Sequence, residues 1–298
     1  MTTHARAASG SANSAIVILI ISSILWGSSF VSIKIGLEYV NPYDFAFLRL
    51  AVASAIMVST LVIWGRMRLS ILKEGSLWIL GLLNGFAFSL QYLGLLYTTA
   101  GKTALLVNLN VIIVALLSWR MFGESIGPRK ILGVALGVIG AAMIATNGDL
   151  STLMQGEIFG DMLVFSAGII WAFFIVLHKR ILTQSERSVI ELSAVVMLIT
   201  AITLLPIATV FGGLNLESVS LAGWSWVAFT AIVCTVLPYA LWVFALKAVT
   251  ATVSSVVSMV EVASALILSV ILLREAYNAV AVVGAIVILI SITVVARS

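Results

Sequence analysis

The stretch Trp26-Gly27-Ser28-Ser29-Phe30-Val31-Ser32-Ile33-Lys34 ends one apolar run, and Trp171-Ala172-Phe173-Phe174-Ile175-Val176-Leu177-His178-Lys179 ends another, its tryptophan and lysine recurring 145 positions on. Further along, Glu124 and Gly133 recur as Glu275 and Gly284, both 151 positions on. The first half therefore reads as duplicated, with a short insertion. About ten apolar runs of bilayer-spanning length fall into two halves of about five. An odd number of crossings per half turns the second copy over, so a solute site is expected between two inverted halves. Such an arrangement implies a carrier.

With 62% hydrophobic and 9% charged residues and a mean hydropathy of +1.20, a water-soluble domain is excluded. The runs lack strict alternation, so the spans are expected to be α-helices rather than barrel strands. They are placed near 15–35, 44–64, 76–99, 103–119, 130–146, 159–178, 189–211, 223–246, 250–272 and 278–296. The fold expected is all-α: a polytopic membrane protein with ten transmembrane helices as two inverted five-helix repeats around a central cavity. Residues 1–14 form a cytoplasmic N-terminal segment ahead of an uncleaved first span, 15–146 the first repeat, 147–158 the connecting loop and 159–298 the second repeat.

With the first span starting inside, twelve of the 16 lysines and arginines fall on cytoplasmic segments. Only Lys34, Arg49, Lys102 and Arg274 lie towards the outside. This bias places both termini in the cytoplasm. The basic residues are scattered over short loops, which excludes nucleic acid as a partner. Cys234 is the one cysteine, so no intrachain disulfide and no cysteine cluster for a metal exists. Gly101-Lys102-Thr103 ends like a phosphate-binding loop, but Leu96 stands where that motif requires its first glycine. His4 and His178 lie outside the span centres, which argues against a catalytic site. No cofactor or metal is expected.

Ile24-Leu25-Trp26-Gly27-Ser28-Ser29-Phe30, Phe47-Leu48-Arg49, Ala104-Leu105-Leu106 and Phe122-Gly123-Glu124 precede or occupy successive spans. In these motifs the chain resembles the drug/metabolite transporter superfamily, in the branch with two EamA-type repeats. The resemblance implies a ten-helix basket whose first, third, fourth, sixth, eighth and ninth helices line a cavity, the rest forming an outer ring. It further implies likeness to bacterial exporters of amino acids, including aromatic ones, in the cytoplasmic (inner) membrane. The second copy departs from the pattern: Ala172 follows Trp171, and no Phe-Leu-Arg recurs near Ala194.

Polar residues at membrane depth mark the candidate site, because a charge there costs about 2.5–3.5 kcal/mol on insertion scales. Glu261 is the foremost, in a stripe with Ser254 and Ser258 at helical spacing; Asn84, Phe88, Gln91 and Leu95 make a second stripe. Asn108 and Asn110 point about 200° apart on an ideal helix, and Asn110 matches Glu261 across the repeat. Trp26, Trp171 and Trp242, with Tyr92, Tyr239 and Phe174, are candidate faces for an aromatic group. The substrate-binding set expected is thus Trp26, Asn84, Gln91, Tyr92, Asn110, Trp171, Tyr239, Trp242, Ser258 and Glu261.

Each has a bland alternative: asparagine and glutamine bond neighbouring helices, and Trp64, Trp78, Trp119, Trp224 and Trp226 anchor the interfaces. Lys34 and Lys179 read as topological anchors, Arg49 as a partner of Asp44 or Glu38 or else a gating contact, and Pro238 as a kink exposing a carbonyl. Gly133, Gly137 and Gly140 form a small-residue surface, used within or between protomers. The function expected is a secondary transporter or facilitator exporting amino acids or similar metabolites by alternating access, proton-coupled if Glu261 must ionise. The rivals are an exporter of cationic drugs and a non-transporting scaffold. Phosphate-bearing solutes are disfavoured because the deep spans show no lysine or arginine cluster.

Overall fold

In the computed structural model, residues 3–97, 100–146, 148–151, 158–274 and 278–296 are described, and no strand occurs among them. The α-helices in chain order are α1 (Thr3–Gly36), α2 (Pro42–Ile63), α3 (Gly75–Leu95), α4 (Ala100–Asn108), α5 (Asn110–Phe122), α6 (Pro128–Thr146), α7 (Ile158–Gln184), α8 (Val189–Ile207), α9 (Leu221–Ala231), α10 (Leu237–Ala248), α11 (Ala251–Ser258), α12 (Val260–Leu268) and α13 (Ala279–Ala296). Among the described residues, eight helical stretches are long and apolar enough to cross a bilayer, and Ala279–Val295 is a shorter apolar helix. Large apolar side chains lie exposed around the outside, Val282, Ile286, Leu289 and Ile290 of α13 among them. Hydrocarbon, not water, tolerates such a surface. The protein is a multi-pass membrane protein. Glu275, named above as the counterpart of Glu124, lies outside the described residues.

Helix ends follow local chemistry. α2 starts where the Asn41 side chain accepts from the Tyr43 N–H and Pro42 occupies the first helical position. α5 stops at Gly123, whose φ of 64° is the left-handed conformation that glycine adopts without a side-chain penalty.

Three long rods are interrupted. α4 passes into α5 at Leu109 (φ −61°, ψ −13°), and α11 into α12 at Met259 (φ −62°, ψ −13°). At both, the N–H three residues on bonds the carbonyl of the break residue, Ile112 to Leu109 at 3.2 Å and Val262 to Met259 at 3.1 Å. Each break is one tightened turn inside a longer helix, a feature that often marks a functional region. α9 runs into α10 through a π-helical turn, Ile232–Val236. Pro238 follows it and lacks the N–H that would bond the Cys234 carbonyl.

Lipid gives apolar helices no hydrophobic reason to associate, so small residues that permit close approach matter. α6 meets α13 at Gly140 and Gly284, where a Cβ on either would lie 2.7 Å from the other's carbonyl oxygen. The surface of Gly133, Gly137 and Gly140 is thus used inside the chain: Gly133 faces Ser291 and Val295, and Gly137 faces Met259 and Ser291. Ser291 Oγ also donates to the Gly133 carbonyl at 2.8 Å. On α1, a Cβ at Gly27 would overlap the Ser264 side chain and sit 2.6 Å from the Glu261 carbonyl of α12.

α2 packs on α8, and α6 on α13. α3 packs on α7, while α10 packs on α1; α4 and α5 pack on α7, while α11 and α12 pack on α1. The interrupted rods, α1, α3 and α7 thereby surround one central space.

Candidate functional site

The central space is a cavity of about 500 Å³, bordered by nine of the ten residues singled out in the sequence: Trp26, Asn84, Gln91, Asn110, Trp171, Tyr239, Trp242, Ser258 and Glu261. Helical periodicity places them. All four members of the α3 stripe, Asn84, Phe88, Gln91 and Leu95, border the space. On α1 and just past its end the lining runs Trp26, Ser29, Phe30, Ile33, Leu37, and on α7 Trp171, Phe174, Ile175. Ser29, Phe30, Ile33 and Ile175 were recoverable by stepping three and four residues from each tryptophan.

Aromatic rings make the walls. The Trp26 and Trp242 rings lie 5.9 Å apart, Phe174 stacks on Trp242 at 6.1 Å, and Phe88 meets Trp171 edge-on at 5.2 Å. Two indole N–H groups are anchored, Trp171 on Asn84 Oδ1 at 3.0 Å and Trp242 on Ser254 Oγ at 3.0 Å. Asn84 Nδ2 donates in turn to Thr200 Oγ1 at 3.1 Å, so this asparagine ties α3 to α7 and α8 and sets the plane of Trp171.

The two ends of the cavity differ in their surroundings. Behind Trp242 lies fully buried His178, its ring 5.4 Å away. Lys179 Nζ donates to the Leu246 and Lys247 carbonyls at 2.8 and 3.1 Å, capping the end of α10. Nearby, Thr252 donates to Glu124 at 3.0 Å, and Lys130 pairs with Glu124 at 3.5 Å. At the opposite end Lys34 is exposed and, with Leu37 and Leu95, borders the cavity. Lys34, expected as a topological anchor, thus also puts a positive charge on the cavity lining.

Tyr92 is the candidate that does not border the cavity. It is buried beside it, and its hydroxyl accepts a hydrogen bond from Arg49 Nη1 at 3.3 Å. Arg49, expected to pair with Asp44 or Glu38, instead borders the cavity and crosses to the π-helical turn. Its Nε donates to Thr235 Oγ1 at 2.6 Å and its Nη2 to the Cys234 carbonyl at 2.9 Å. That carbonyl is the one freed by Pro238; the arginine satisfies it, not a ligand. α2 and α8, expected in the outer ring, thus contribute Arg49 and Met197 to the lining. Arg49→Ala is expected to lower apparent Tm by several degrees. Pro238→Ala returns an N–H to Cys234 and is expected to recover part of that loss, a coupling of about 1 kcal/mol in a double-mutant cycle read by thermal unfolding.

Asn108 and Asn110 both border the cavity. The ideal-helix angle between them does not apply, because the rod breaks at Leu109. Asn108 hydrogen-bonds the carboxyl of Glu261. The two breaks, at Leu109 and Met259, therefore bring an amide and an acid from α4 and α12 together at the wall. Such a set can bond an ammonium or hydroxyl while the rings cover an apolar group. Among the described residues no group of three or more histidine, cysteine, aspartate or glutamate side chains is placed to hold a metal.

A solved crystal structure superposes over 96% of this chain and 99% of its own with a TM-score of 0.80, at 18% identity, which shows the fold. An uncharacterized transporter of Archaeoglobus fulgidus is 31% identical over 236 residues, 77% of this chain and 79% of the relative. The uncharacterized transporter YyaM of Bacillus subtilis is 26% identical over 80% of this chain and 79% of its own length. The EamA-like transporter family model matches twice, over residues 13–146 and 158–297, the two segments whose helices enclose the cavity. A tandem match over nearly the whole chain, folded around an aromatic-walled cavity, makes this protein a member of the EamA-like transporter family.

Proposed function

We propose that the protein is a secondary carrier that exports amino acids, aromatic ones included, from the cytoplasm of a bacterium by alternating access. The observation that carries this reading is the cavity itself, where tryptophan and phenylalanine walls stand beside the Asn108–Glu261 pair. An aromatic side chain lies against Trp26, Trp171 and Trp242. Gln91, Asn110, Ser258 and Glu261 bond the backbone groups of the amino acid.

In this reading ten crossings form two inverted repeats, 15–146 and 159–298. Exchanging the halves maps the packing onto itself: α3 on α7 becomes α10 on α1, and α4 and α5 on α7 become α11 and α12 on α1. That reciprocity supports a pseudo-two-fold axis through the site. The termini are cytoplasmic, the Lys34 end faces outward, and the contacts around Lys179 and Glu124 form the closed inner gate. The substrate's ammonium displaces a proton from Glu261, coupling export to proton entry.

A cationic drug is the second reading, favoured by an acid among aromatic rings. Arg49 and Lys34 in the same lining oppose it. Counterflow in proteoliposomes separates the two. Vesicles preloaded with unlabelled tryptophan or threonine are expected to accumulate the labelled amino acid, and Trp171→Ala to cut tryptophan accumulation at least tenfold. Accumulation of a cationic dye alone would establish the drug reading, and no exchange of any solute class would leave a scaffold.

A further inference from the structure

We propose that Arg49 grips the carboxylate of the substrate, an assignment that deepens the amino-acid reading above and rests on it. Arg49 is 3% exposed. Three of its five N–H donors are spent, all on neutral acceptors: the Thr235 hydroxyl, the Tyr92 hydroxyl and the Cys234 carbonyl. Among the described residues no carboxylate oxygen lies within 4.0 Å of the guanidinium. One N–H remains on each terminal nitrogen, two donors for the two oxygens of a carboxylate.

A structural duty alone does not require the charge. The carbonyl freed by Pro238 and the Thr235 hydroxyl would accept equally from a neutral amide, which carries no penalty for an uncompensated cation in a membrane interior. A cation retained there without a counter-ion, on the wall of a cavity, fits a counter-ion that comes and goes. Phe88 lies 5.9 Å from the guanidinium carbon and helps fix its plane. Lys34, on the lining of the same cavity, adds a second positive charge. With Glu261 taking the ammonium, the two charges of an amino acid meet opposite charges in the lining, and a solute lacking the carboxylate leaves Arg49 uncompensated. Selectivity for amino acids over cationic amines follows from this one residue.

The test compares acids with their amides on the intact protein. In wild-type vesicles exchanging labelled tryptophan, tryptophanamide and tryptamine are expected to compete at least tenfold more weakly than tryptophan. In Arg49→Gln, which keeps an amide donor for Cys234 and Thr235, that gap is expected to shrink below threefold. Arg49→Lys, retaining charge without the fork, is expected to fall between. Equal competition by acid and amide in wild type, or an undiminished gap in a folded Arg49→Gln, would overturn the assignment. If no amino acid is carried, the amino-acid reading fails separately. Arg49 is then judged by thermal shift of the purified protein with indole-3-propionate against its amide: stabilisation by the acid alone upholds it, and equal or absent stabilisation sinks it.

Discussion

Gly140→Leu will destabilise the protein more than any substitution in the cavity wall. Gly140 of α6 and Gly284 of α13 each present a carbonyl oxygen 2.7 Å from where the other's Cβ would stand. The obstacle is backbone on both sides, with Ile288 also 2.8 Å away, so no rotamer change relieves it. Overpacking a tight site costs about 1–3 kcal/mol and sometimes more; with two backbones in opposition the upper end applies, and the helices must separate. A lower apparent Tm in detergent, by roughly ten degrees, and loss of a monodisperse elution peak are the expected readouts. Gly284→Leu should behave alike because the contact is reciprocal. Gly75→Ala, where nothing lies within 4 Å of the added carbon, is the control and should leave Tm within a degree or two. A Gly140→Leu protein as stable as wild type would mean that α6 and α13 are not joined through these glycines.

The all-helical, multi-pass class and most of the cavity wall are legible in the sequence because they rest on local periodicity. A stripe such as Asn84, Phe88, Gln91 and Leu95 needs only a regular helix to face one way, and α3 is regular. What escaped the sequence lies where helices stop being regular. An ideal helix turns Asn108 away from Asn110, and the break at Leu109 removes that premise. Sequence proximity points Arg49 to nearby acids, yet its acceptors, Cys234 and Thr235, lie 185 and 186 residues away on a π-helical turn that no composition or spacing announces. Pro238 was the one available signal. A proline inside a span frees a specific carbonyl, four residues back, and the question of which donor satisfies it leads to the arginine. Tyr92 failed for a simpler reason: as the neighbour of Gln91 it points off the stripe, into the packing against Arg49.

Glu261→Gln will weaken amino-acid exchange at least tenfold while leaving the fold intact. The two side chains are nearly isosteric, and the amide still offers an acceptor to Asn108, so apparent Tm should stay within about two degrees of wild type. What disappears is the negative charge opposite the substrate's ammonium. Truncating one partner of a buried charge pair costs about 2–5 kcal/mol, and each 1.4 kcal/mol is tenfold, so apparent tryptophan affinity should fall by about 30-fold or more. Two further readouts separate this role from a merely structural acid. Exchange by wild type should weaken as pH falls, because a protonated carboxyl cannot pair with an ammonium, whereas the residual exchange of Glu261→Gln should be flat with pH. Indole-3-propionate, which keeps the ring and carboxylate but lacks the amine, should bind wild type and variant equally. A Glu261→Gln protein that exchanges tryptophan at the wild-type rate, with an unchanged pH profile, would reduce Glu261 to a helix-packing acid held by Asn108. The ammonium would then have to be sought among Asn110, Gln91 and Ser258, the remaining polar groups of the wall.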